Sequence, residues 1–228
     1  LFRSSGHSHT IAVIITDISS PFFSDICRHI ENLAYKAGYT VLFASSDESS
    51  SKLGSLIDTV IGYNVEGLIV APSAGSENMF KKSIAYNIPT VLIDRDIPGD
   101  SFGRVLVNNV ESAHMATKYL IEQGYSKIEM LSYDMSITSL SDRARGYSEK
   151  MTETGLSDNI NIHTIDYDAS EKEVISIVKD ASKRGVEAFL LPTKRISMYV
   201  LNALMVLGMK VPSDLALVCY DESDVYDF

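Results

Sequence analysis

The sequence predicts an α/β protein of two doubly wound subdomains, each a parallel sheet covered by helices, with a cleft between them. Strand-like apolar runs alternate with amphipathic helical stretches along most of the 228 residues, which is typical of parallel sheets with helical crossovers. The runs are apolar at nearly every position, so we expect strands buried on both faces. The alternation breaks once, at 95–103, where two strand-like runs are joined without a helix. A single closed sheet would keep the rhythm, so we interpret this break as the passage between two sheets.

The predicted strands follow from the apolar runs, and the predicted helices follow from the spacing of apolar residues between them. The strand-like runs lie at 10–15, 40–45, 67–72, 90–94, 104–108, 127–131, 161–166, 188–192 and 215–221. The first helix is expected to begin at Pro21, with the side chain of Ser20 as its N-cap, and to stop at Gly38. Further helical stretches lie at 51–64, 76–87, 112–124, 170–185 and 196–208.

Composition excludes several classes of protein. The chain is 45% hydrophobic and can bury a large core, but no apolar stretch approaches the ~18 residues that a membrane span requires. The first ten residues lack the apolar region of a signal peptide, although a chain whose signal has been cleaved would look the same. The formal net charge of −10 argues against binding of nucleic acid by this segment alone. Cys27 and Cys219 could form a disulfide, but two buried thiols are the favoured interpretation.

Polar side chains follow most of the predicted strands. Ligands of open parallel sheets bind outside the carboxyl ends of the strands, so these side chains mark a candidate site. The strand-end residues are Asp17, Ser45, Ser46, Ser73, Asp94, Asn108, Asn109, Thr193 and Asp221. For Ser45, Ser46 and Ser73, turn formation or helix capping is the preferred explanation. Capping does not explain Asp94, because no helix is predicted after it.

The stretch "TIAVIITDISSPFFSDICRHIENLAYKAGY" at 10–39 is followed in order by "GLIVAPS", "IPTVLIDRDIPG", "VNNVESAHMATKYLIEQGYSKI", "DRARGY" and "LGMKVPSDLALVCYDE". These motifs resemble the core domain of the lactose-repressor/galactose-repressor (LacI/GalR) family of bacterial transcription regulators. Each motif alone is weak, but the ordered set covers essentially the whole chain. The resemblance implies a fold similar to type I periplasmic binding proteins, with two subdomains and a hinged cleft for a small ligand.

The resemblance also implies domain boundaries and a function. We expect a linker at 1–9, an N-terminal subdomain at 10–108 and a C-terminal subdomain at 109–228. Family members carry an N-terminal helix-turn-helix and hinge helix before this core, and further residues that complete the first subdomain after it. The expected function is the effector-binding and dimerising core of a sugar-responsive repressor, in which the effector controls operator binding. A sugar-binding protein of a transport system has the same fold and remains the alternative.

The family's ligand positions can be transferred to this sequence one by one. Phe22 and Phe23 match an aromatic pair that packs on the ligand, although either ring could instead be a hydrophobic contact at the helix start. Asp94 matches a carboxylate that accepts from sugar hydroxyls, and Asp221 matches the aspartate at the end of the last strand present. Arg143 matches the ligand-binding arginine, whose fork can hold two hydroxyls or a carboxylate. Its neighbour Arg145 is expected to face solvent.

Two departures from the family pattern concern the same region. Thr193 and Lys194 stand where many members have Asn-Asp. Thr193 can still form a hydrogen bond but offers fewer groups, whereas Lys194 either faces solvent or favours a phosphorylated or acidic effector. Cys219 replaces the usual Gly before Tyr220 and Asp221, which could change the direction of the Asp221 carboxylate.

Catalysis has little support in the sequence, and neither a cofactor nor a metal is expected. No nucleophile elbow, P-loop or dinucleotide fingerprint is present. The histidines are scattered without metal-ligand spacing, at His7, His9, His29, His114 and His163. The expected partners are a sugar or phosphosugar effector, a second copy of the chain, and operator DNA through the helix-turn-helix, in the cytoplasm and without a membrane. In a variant of this hypothesis a phosphorylated carrier protein docks on the core in place of a free sugar.

The homodimer is expected to be a two-fold, side-by-side assembly, because near-palindromic operators are bound by two-fold proteins. Candidate surfaces are the helical stretches at 51–64, 76–87 and 196–208. Their apolar residues are shared between such a surface and the protein's own sheets: Leu53, Leu56, Ile57, Val60, Met79, Phe80, Met198, Leu201, Met205 and Met209.

Overall fold

A computed structural model describes residues 7–99, 101–133, 136–167 and 169–221. The chain divides into two compact units, Leu1–Val107 and Asn108–Phe228, and each has its own parallel sheet. The α/β class with two separate parallel sheets is therefore confirmed. The predicted linker at 1–9 lies largely outside the described residues.

In the first unit, the described strands form one parallel sheet in the order β2-β1-β3-β4-β5. Its strands and helices, in chain order, are β1 (Thr10–Ile15), α1 (Pro21–Lys36), β2 (Thr40–Ser45), α2 (Ser50–Gly62), β3 (Gly67–Val70), α3 (Lys81–Ala85), β4 (Thr90–Ile93) and β5 (Gly103–Val105). Apolar residues of α1 pack on one face of the sheet, and those of α2 and the turn before α3 pack on the other. The sheet is therefore covered on both faces, as a doubly wound unit requires.

In the second unit, the described strands form a parallel sheet in the order β7-β6-β8-β9. Its strands and helices, in chain order, are α4 (Asn109–Glu122), β6 (Ile128–Ser132), α5 (Thr138–Glu153), β7 (Ile162–Thr164), α6 (Glu171–Lys183), β8 (Ala188–Leu191), α7 (Lys194–Leu207) and β9 (Ala216–Cys219). Helices α4 and α5 cover one face of this sheet, and α6 and α7 cover the other.

The interpretation of 95–103 as the passage between sheets is wrong. Strand β5 pairs with β4 in parallel, with Val91 opposite Gly103, so the chain stays in the first sheet across this segment. The passage follows β5, before α4 begins at Asn109. A connection without a helix can return the chain to the start of a parallel neighbour as a helix does, and the sequence pattern did not distinguish the two cases.

Burial of the strands follows their position in the sheet. The central strands β1, β6 and β8 are buried along most or all of their length, as predicted. Strand β5, at the sheet edge, is exposed at all three positions, and β2, at the other edge, is only partly covered. The prediction of two buried faces is therefore wrong for these edge strands, because local hydrophobicity does not reveal how many neighbours a strand has.

The first helix shows one confirmed and one wrong prediction. Gly38 adopts the left-handed conformation (φ 79°) just after α1, and the Tyr39 N–H closes the motif by donating to the Ala34 carbonyl (2.9 Å). Ser20 occupies the N-cap position, but its side chain forms no capping hydrogen bond.

Both cysteines are free thiols, Cys27 buried and Cys219 partly buried. Within the described ranges, no helix has the length and apolarity that crossing a bilayer requires.

Candidate functional site

The aromatic pair at the start of α1 divides between core and surface. Phe23 is 5% exposed and packs in the core beside Val13 and Ile15, so its position is explained by hydrophobic burial. Phe22 is only partly buried and meets the Phe23 ring edge-on, with centroids 5.1 Å apart. Of the two predicted ligand contacts, Phe22 is therefore the ring that a ligand could reach.

Asp94 follows β4 directly and lies beside a nearly buried arginine. Its Oδ2 is 3.4 Å from Nε of Arg95, and both side chains are 11% exposed. Arg95 also donates two hydrogen bonds to Glu48, of 2.6 and 2.7 Å, and Nη1 lies 3.4 Å from the Pro72 carbonyl. Since Glu48, Pro72 and Asp94 follow β2, β3 and β4, Arg95 joins three loops at the carboxyl edge of the first sheet.

Electrostatics and backbone geometry both single out this edge. Burial alone would lower the pKa of Arg95, but the Glu48 and Asp94 carboxylates outweigh it and raise that pKa. Asp47, Glu48 and Asp94 adopt left-handed backbone conformations (φ 51°, 57° and 63°), which are unfavourable for residues other than glycine. The ion-pair network therefore holds the predicted acceptor Asp94 on a strained loop at the sheet edge.

The strand-end serines of the first unit have structural partners. The hydroxyls of Ser46 and Ser73 lie 3.2 Å apart in the interior, and Ser45 donates to Asp47 (2.7 Å). This agrees with the preferred interpretation of these residues as formers of turns.

In the second unit, Arg143, the arginine that the motif singled out, is a buried cation. It lies on α5, is 8% exposed, and donates from Nε to Oδ1 of Asn109 (2.8 Å) and from Nη1 to the Pro192 carbonyl. The guanidinium carbon lies 4.1 Å from the ring centroid of Tyr220. Nη2 has no partner among the described residues, so part of the guanidinium fork remains available for a ligand. Arg145 is exposed and pairs with Asp142 at 2.9 Å, which confirms the expectation that it faces solvent.

Thr193 and Asp221 lie next to the residues that hold Arg143. Thr193 follows Pro192 and caps α7, its Oγ1 accepting from the Ile196 N–H at 3.3 Å. Asp221 follows Tyr220 and has a left-handed backbone (φ 67°). Burial, and to a smaller extent the charge of Asp221, raise the pKa of the Tyr220 hydroxyl, which is 2.9 Å from the Ser112 hydroxyl. The carboxyl edge of the second sheet thus brings Arg143, Thr193 and Asp221 into one region.

Sequence reasoning missed some residues of this region. Asn109 was noted only as a strand-end residue, and Tyr220 only as part of a motif, yet both contact Arg143. Tyr133 and Tyr167 were missed entirely, although each lies at the end of a predicted strand. Counting aromatic as well as polar residues at strand ends would have found both.

Each sheet edge, taken by itself, presents negatively charged hydrogen-bond acceptors together with a positively charged donor. The first carries the carboxylates of Asp94 and Glu48 around Arg95, and the second carries Arg143 with the carboxylate residue Asp221. Such sets suit a ligand rich in hydroxyl groups, with an aromatic face for its C–H side. In the described part of the chain, no group of three or more His, Cys, Asp or Glu residues could hold a metal ion.

The two parallel sheets with polar carboxyl edges define the class: an α/β ligand-binding core of the periplasmic-binding-protein type. A family model described as "Periplasmic binding proteins and sugar binding domain of LacI family" matches residues 8–181. This match covers more than half of the chain, so the chain belongs to that family, as the motifs indicated.

Individual relatives agree with this assignment. The transcriptional repressor PurR of Actinobacillus pleuropneumoniae serotype 3 (strain JL03) is 27% identical over 214 residues, which are 93% of this chain and 63% of that repressor. The chain thus spans somewhat less than two thirds of that relative's length.

Solved structures of two transcription regulators share the fold. CcpA of Lactococcus lactis aligns with a TM-score of 0.81 at 23% identity, covering 95% of this chain and 79% of CcpA. The dual regulator Cra of Pseudomonas putida, in complex with fructose 1-phosphate, aligns with a TM-score of 0.84 at 20% identity, covering 97% and 82% of the two chains.

Proposed function

We propose that this chain is the effector-binding and dimerising core of a DNA-binding transcription repressor, with a sugar or sugar derivative as its effector. The observation that carries the proposal is the buried Arg143, held by Asn109, the Pro192 carbonyl and the Tyr220 ring at the carboxyl edge of a parallel sheet. Because the Arg143 guanidinium is already held in place before the ligand arrives, its binding to hydroxyl groups costs little side-chain entropy. Membership of the LacI family and the similarity to PurR support the same function.

The proposed site combines both edges. We propose that Asp94 and Phe22 of the first unit and Arg143, Thr193 and Asp221 of the second bind the same effector molecule. Carboxylates would accept from the ligand's hydroxyls, Arg143 would donate to its oxygens, and the phenyl ring would cover its apolar side. Thr193 would contribute through its hydroxyl proton, because its oxygen already accepts a helix N–H.

The route from effector to DNA is part of the proposal. A helix-turn-helix outside this chain would bind the operator, in the cytoplasm where the DNA lies, and the effector would shift the balance between two arrangements of the paired cores. The shift cannot exceed the difference in effector affinity between these arrangements. The alternative, a sugar-binding protein that serves a transporter, is less favoured because the similar regulators named above act in transcription.

Effector binding to Arg143 variants tests the proposed site. Sugars, their phosphate esters and sugar acids are screened by thermal shift, and hits are titrated into the wild-type chain by calorimetry. Arg143→Lys keeps the charge but loses the fork, and we expect roughly 10- to 100-fold weaker binding, as for the loss of a buried charged hydrogen bond. The control is Arg145→Gln, which removes an exposed charge from the same helix and should leave affinity unchanged.

Two outcomes would contradict the proposal at different levels. Undiminished binding by Arg143→Lys, with normal circular dichroism, would refute the role of Arg143. Absence of binding by any sugar derivative to the wild-type chain would refute the proposed effector class.

A further inference from the structure

A second group of side chains lies at the carboxyl edge of the second sheet, on the face that α6 and α7 cover. We name Tyr133, Tyr167, Arg195 and Tyr199 the tyrosine–arginine cluster. Tyr133 follows β6 directly, Tyr167 lies three residues beyond β7, and Arg195 is the second residue of α7. The ring centroids of Tyr133 and Tyr167 are 5.2 Å apart. Tyr133 and Tyr199 both pack in the core under α6 and α7. The ligand set proposed above does not include these four residues.

Arg195 is a partly buried cation that has aromatic rings around it but no acidic partner in the described part of the chain. Its guanidinium carbon lies 4.2 Å from the ring centroid of Tyr167 and 5.7 Å from that of Tyr199, and Nε donates to the Tyr199 hydroxyl at 3.3 Å. No carboxylate of the described residues forms an ion pair with it. Cation–π contacts leave the N–H groups at the edge of the guanidinium able to bind an anion in the plane of the fork.

The helix that carries Arg195 adds to the positive potential. Helix α7 has 14 residues and begins with Lys194 and Arg195, and its first turn contains no acidic residue. The start of a helix already carries a partial positive charge and N–H groups without helical acceptors. The charges of Lys194 and Arg195 add to this positive potential.

An independent observation is the hydroxyl of Tyr133. The side chain is 5% exposed, and its oxygen is buried without a hydrogen-bond partner in the described part of the chain. A buried hydroxyl left unpaired costs about 1–3 kcal/mol, and such groups are rare in native proteins. Because Tyr133 contacts Tyr167, whose ring stacks on Arg195, a ligand oxygen at this point could pair with the hydroxyl and the guanidinium together.

We propose that the tyrosine–arginine cluster is an anion subsite that binds a phosphate or carboxylate group of the effector. Arg195 neutralises the charge, the Tyr133 hydroxyl donates to one oxygen, and the amide groups at the start of α7 contribute partial positive charge. The effector is then an acidic sugar derivative and not a neutral sugar. This inference rests on the proposed function for the sugar part of the ligand, but the anion site can be tested without any sugar.

The first experiment uses inorganic phosphate and acetate as probes. NMR of the arginine Nε–H groups of the 228-residue chain follows each titration at constant ionic strength, with Arg195→Gln to assign the Arg195 signal. We expect a saturable shift of that signal with phosphate, and a normal, unshifted Arg145 signal as the internal control. Saturation with phosphate alone indicates a phosphate ester, and saturation with acetate as well extends the site to carboxylates. No shift with either anion overturns the inference, whether or not sugars bind.

The second experiment compares each sugar with its phosphate ester and its sugar acid by calorimetry. We expect the anionic form to bind at least about 10-fold more tightly than the neutral sugar, because a charged hydrogen bond is gained. Arg195→Gln should abolish that ratio, and Tyr133→Phe should reduce it without affecting folding. The matched control Arg145→Gln should keep the wild-type ratio.

The outcomes separate this inference from the proposed function. If neutral sugars bind as tightly as their anionic forms and Arg195→Gln has no effect, the subsite is refuted while the sugar-binding function stands. If phosphate saturates the Arg195 signal but no sugar derivative binds, the subsite stands while the sugar effector is refuted.

Discussion

Glu129 is a charged side chain buried within a central strand of the second sheet. Its carboxylate accepts from His163 Nε2 (2.7 Å), Asn161 Nδ2 (2.9 Å) and Arg184 Nη2 (2.7 and 2.9 Å). Burial acts to raise the pKa of Glu129, but these hydrogen bonds outweigh it and lower the pKa from 4.5 to about 2. The folded protein therefore holds Glu129 as a carboxylate at pH values where the unfolded chain takes up a proton.

The pH dependence of stability should reflect this difference. A carboxyl group whose pKa is lower in the folded state stabilises the fold above its unfolded pKa, here 4.5, and this contribution is lost as the pH falls toward 2. We expect a loss of about 2–3 kcal/mol over that range, since solvent screens the half-exposed partner Arg184. Urea unfolding at pH 5 and pH 3, for the wild-type chain and Glu129→Gln, measures it.

The variant and its control give opposite expectations. Glu129→Gln should be less stable than the wild type at pH 5, and the difference should shrink at pH 3. Glu149→Gln, at an exposed position of α5, should reproduce the wild-type profile. A Glu129→Gln profile parallel to that of the wild type would show that Glu129 does not couple folding to pH in this way.

At the scale of elements, the contact between α4 and α5 holds the Arg143 site together. Gly146 of α5 lies against the backbone of α4, and a Cβ atom there would be 2.1 Å from the Val110 carbonyl oxygen. This close approach lets Asn109 at the start of α4 reach Arg143 on α5. The glycine in the "DRARGY" motif is thus required by helix packing.

Gly146→Ala should push α4 and α5 apart. Since the obstacle is rigid backbone, we expect a loss of at least about 2 kcal/mol in the free energy of unfolding, together with weaker effector binding. The control Gly62→Ala lies at the end of α2 with open space around its Cβ and should be neutral or slightly stabilising. Equal stability of Gly146→Ala and the wild type would contradict this account of the helix contact.

The existence of the strands could be predicted from the sequence, whereas their pairing could not. All nine predicted strands are present, because a run of apolar residues is a local property of the chain. The sheet to which β5 belongs was not predicted, because its pairing with β4 across the segment 94–102 leaves no local pattern. The exposure of β5 has the same origin, since only the sheet order places it at an edge.

At the scale of the whole molecule, burial reduces the set of residues that the predicted dimer surface can use. Four of the candidate residues are fully or almost fully buried in the core of their own unit and cannot serve a partner: Leu53, Ile57, Val60 and Phe80. On α7, Met205 is 80% exposed and Val206 is 63% exposed, so this helix keeps an apolar strip at the surface. The homodimer remains a prediction, and α7 is its better-supported surface in the second unit.

Met205→Lys tests the dimer. We expect the wild-type chain to sediment as a dimer at tens of micromolar protein, and the variant to shift toward the monomer because a charge would be buried in the interface. Met115→Lys is the matched control, since Met115 is 60% exposed on α4, which covers the opposite face of the second sheet from α7. A wild-type chain that is monomeric throughout would contradict the dimer and the proposed route from effector to DNA.

Much of the candidate site could also be predicted from sequence. Asp94, Arg143, Thr193 and Asp221 were found because strand ends and ordered motifs are visible in the chain, and the structure places each at the carboxyl edge of its own sheet. Their role as ligand contacts stays a prediction. The division of Phe22 from Phe23 was not predicted, because adjacent aromatic residues differ only in the direction of their side chains.

The sequence by itself determined the order and type of the elements, the parallel class of both sheets and the family, since burial periodicity and turn residues act over a few neighbours. Only the tertiary structure decided the partners of the charged groups. Arg143 meets Asn109 and Pro192, which lie 34 and 49 residues away, and Arg95 meets Glu48 at a separation of 47. The tyrosine–arginine cluster likewise exists only once three loops share one sheet edge. Contacts over such distances depend on how whole elements pack, and no local pattern of residue types records that.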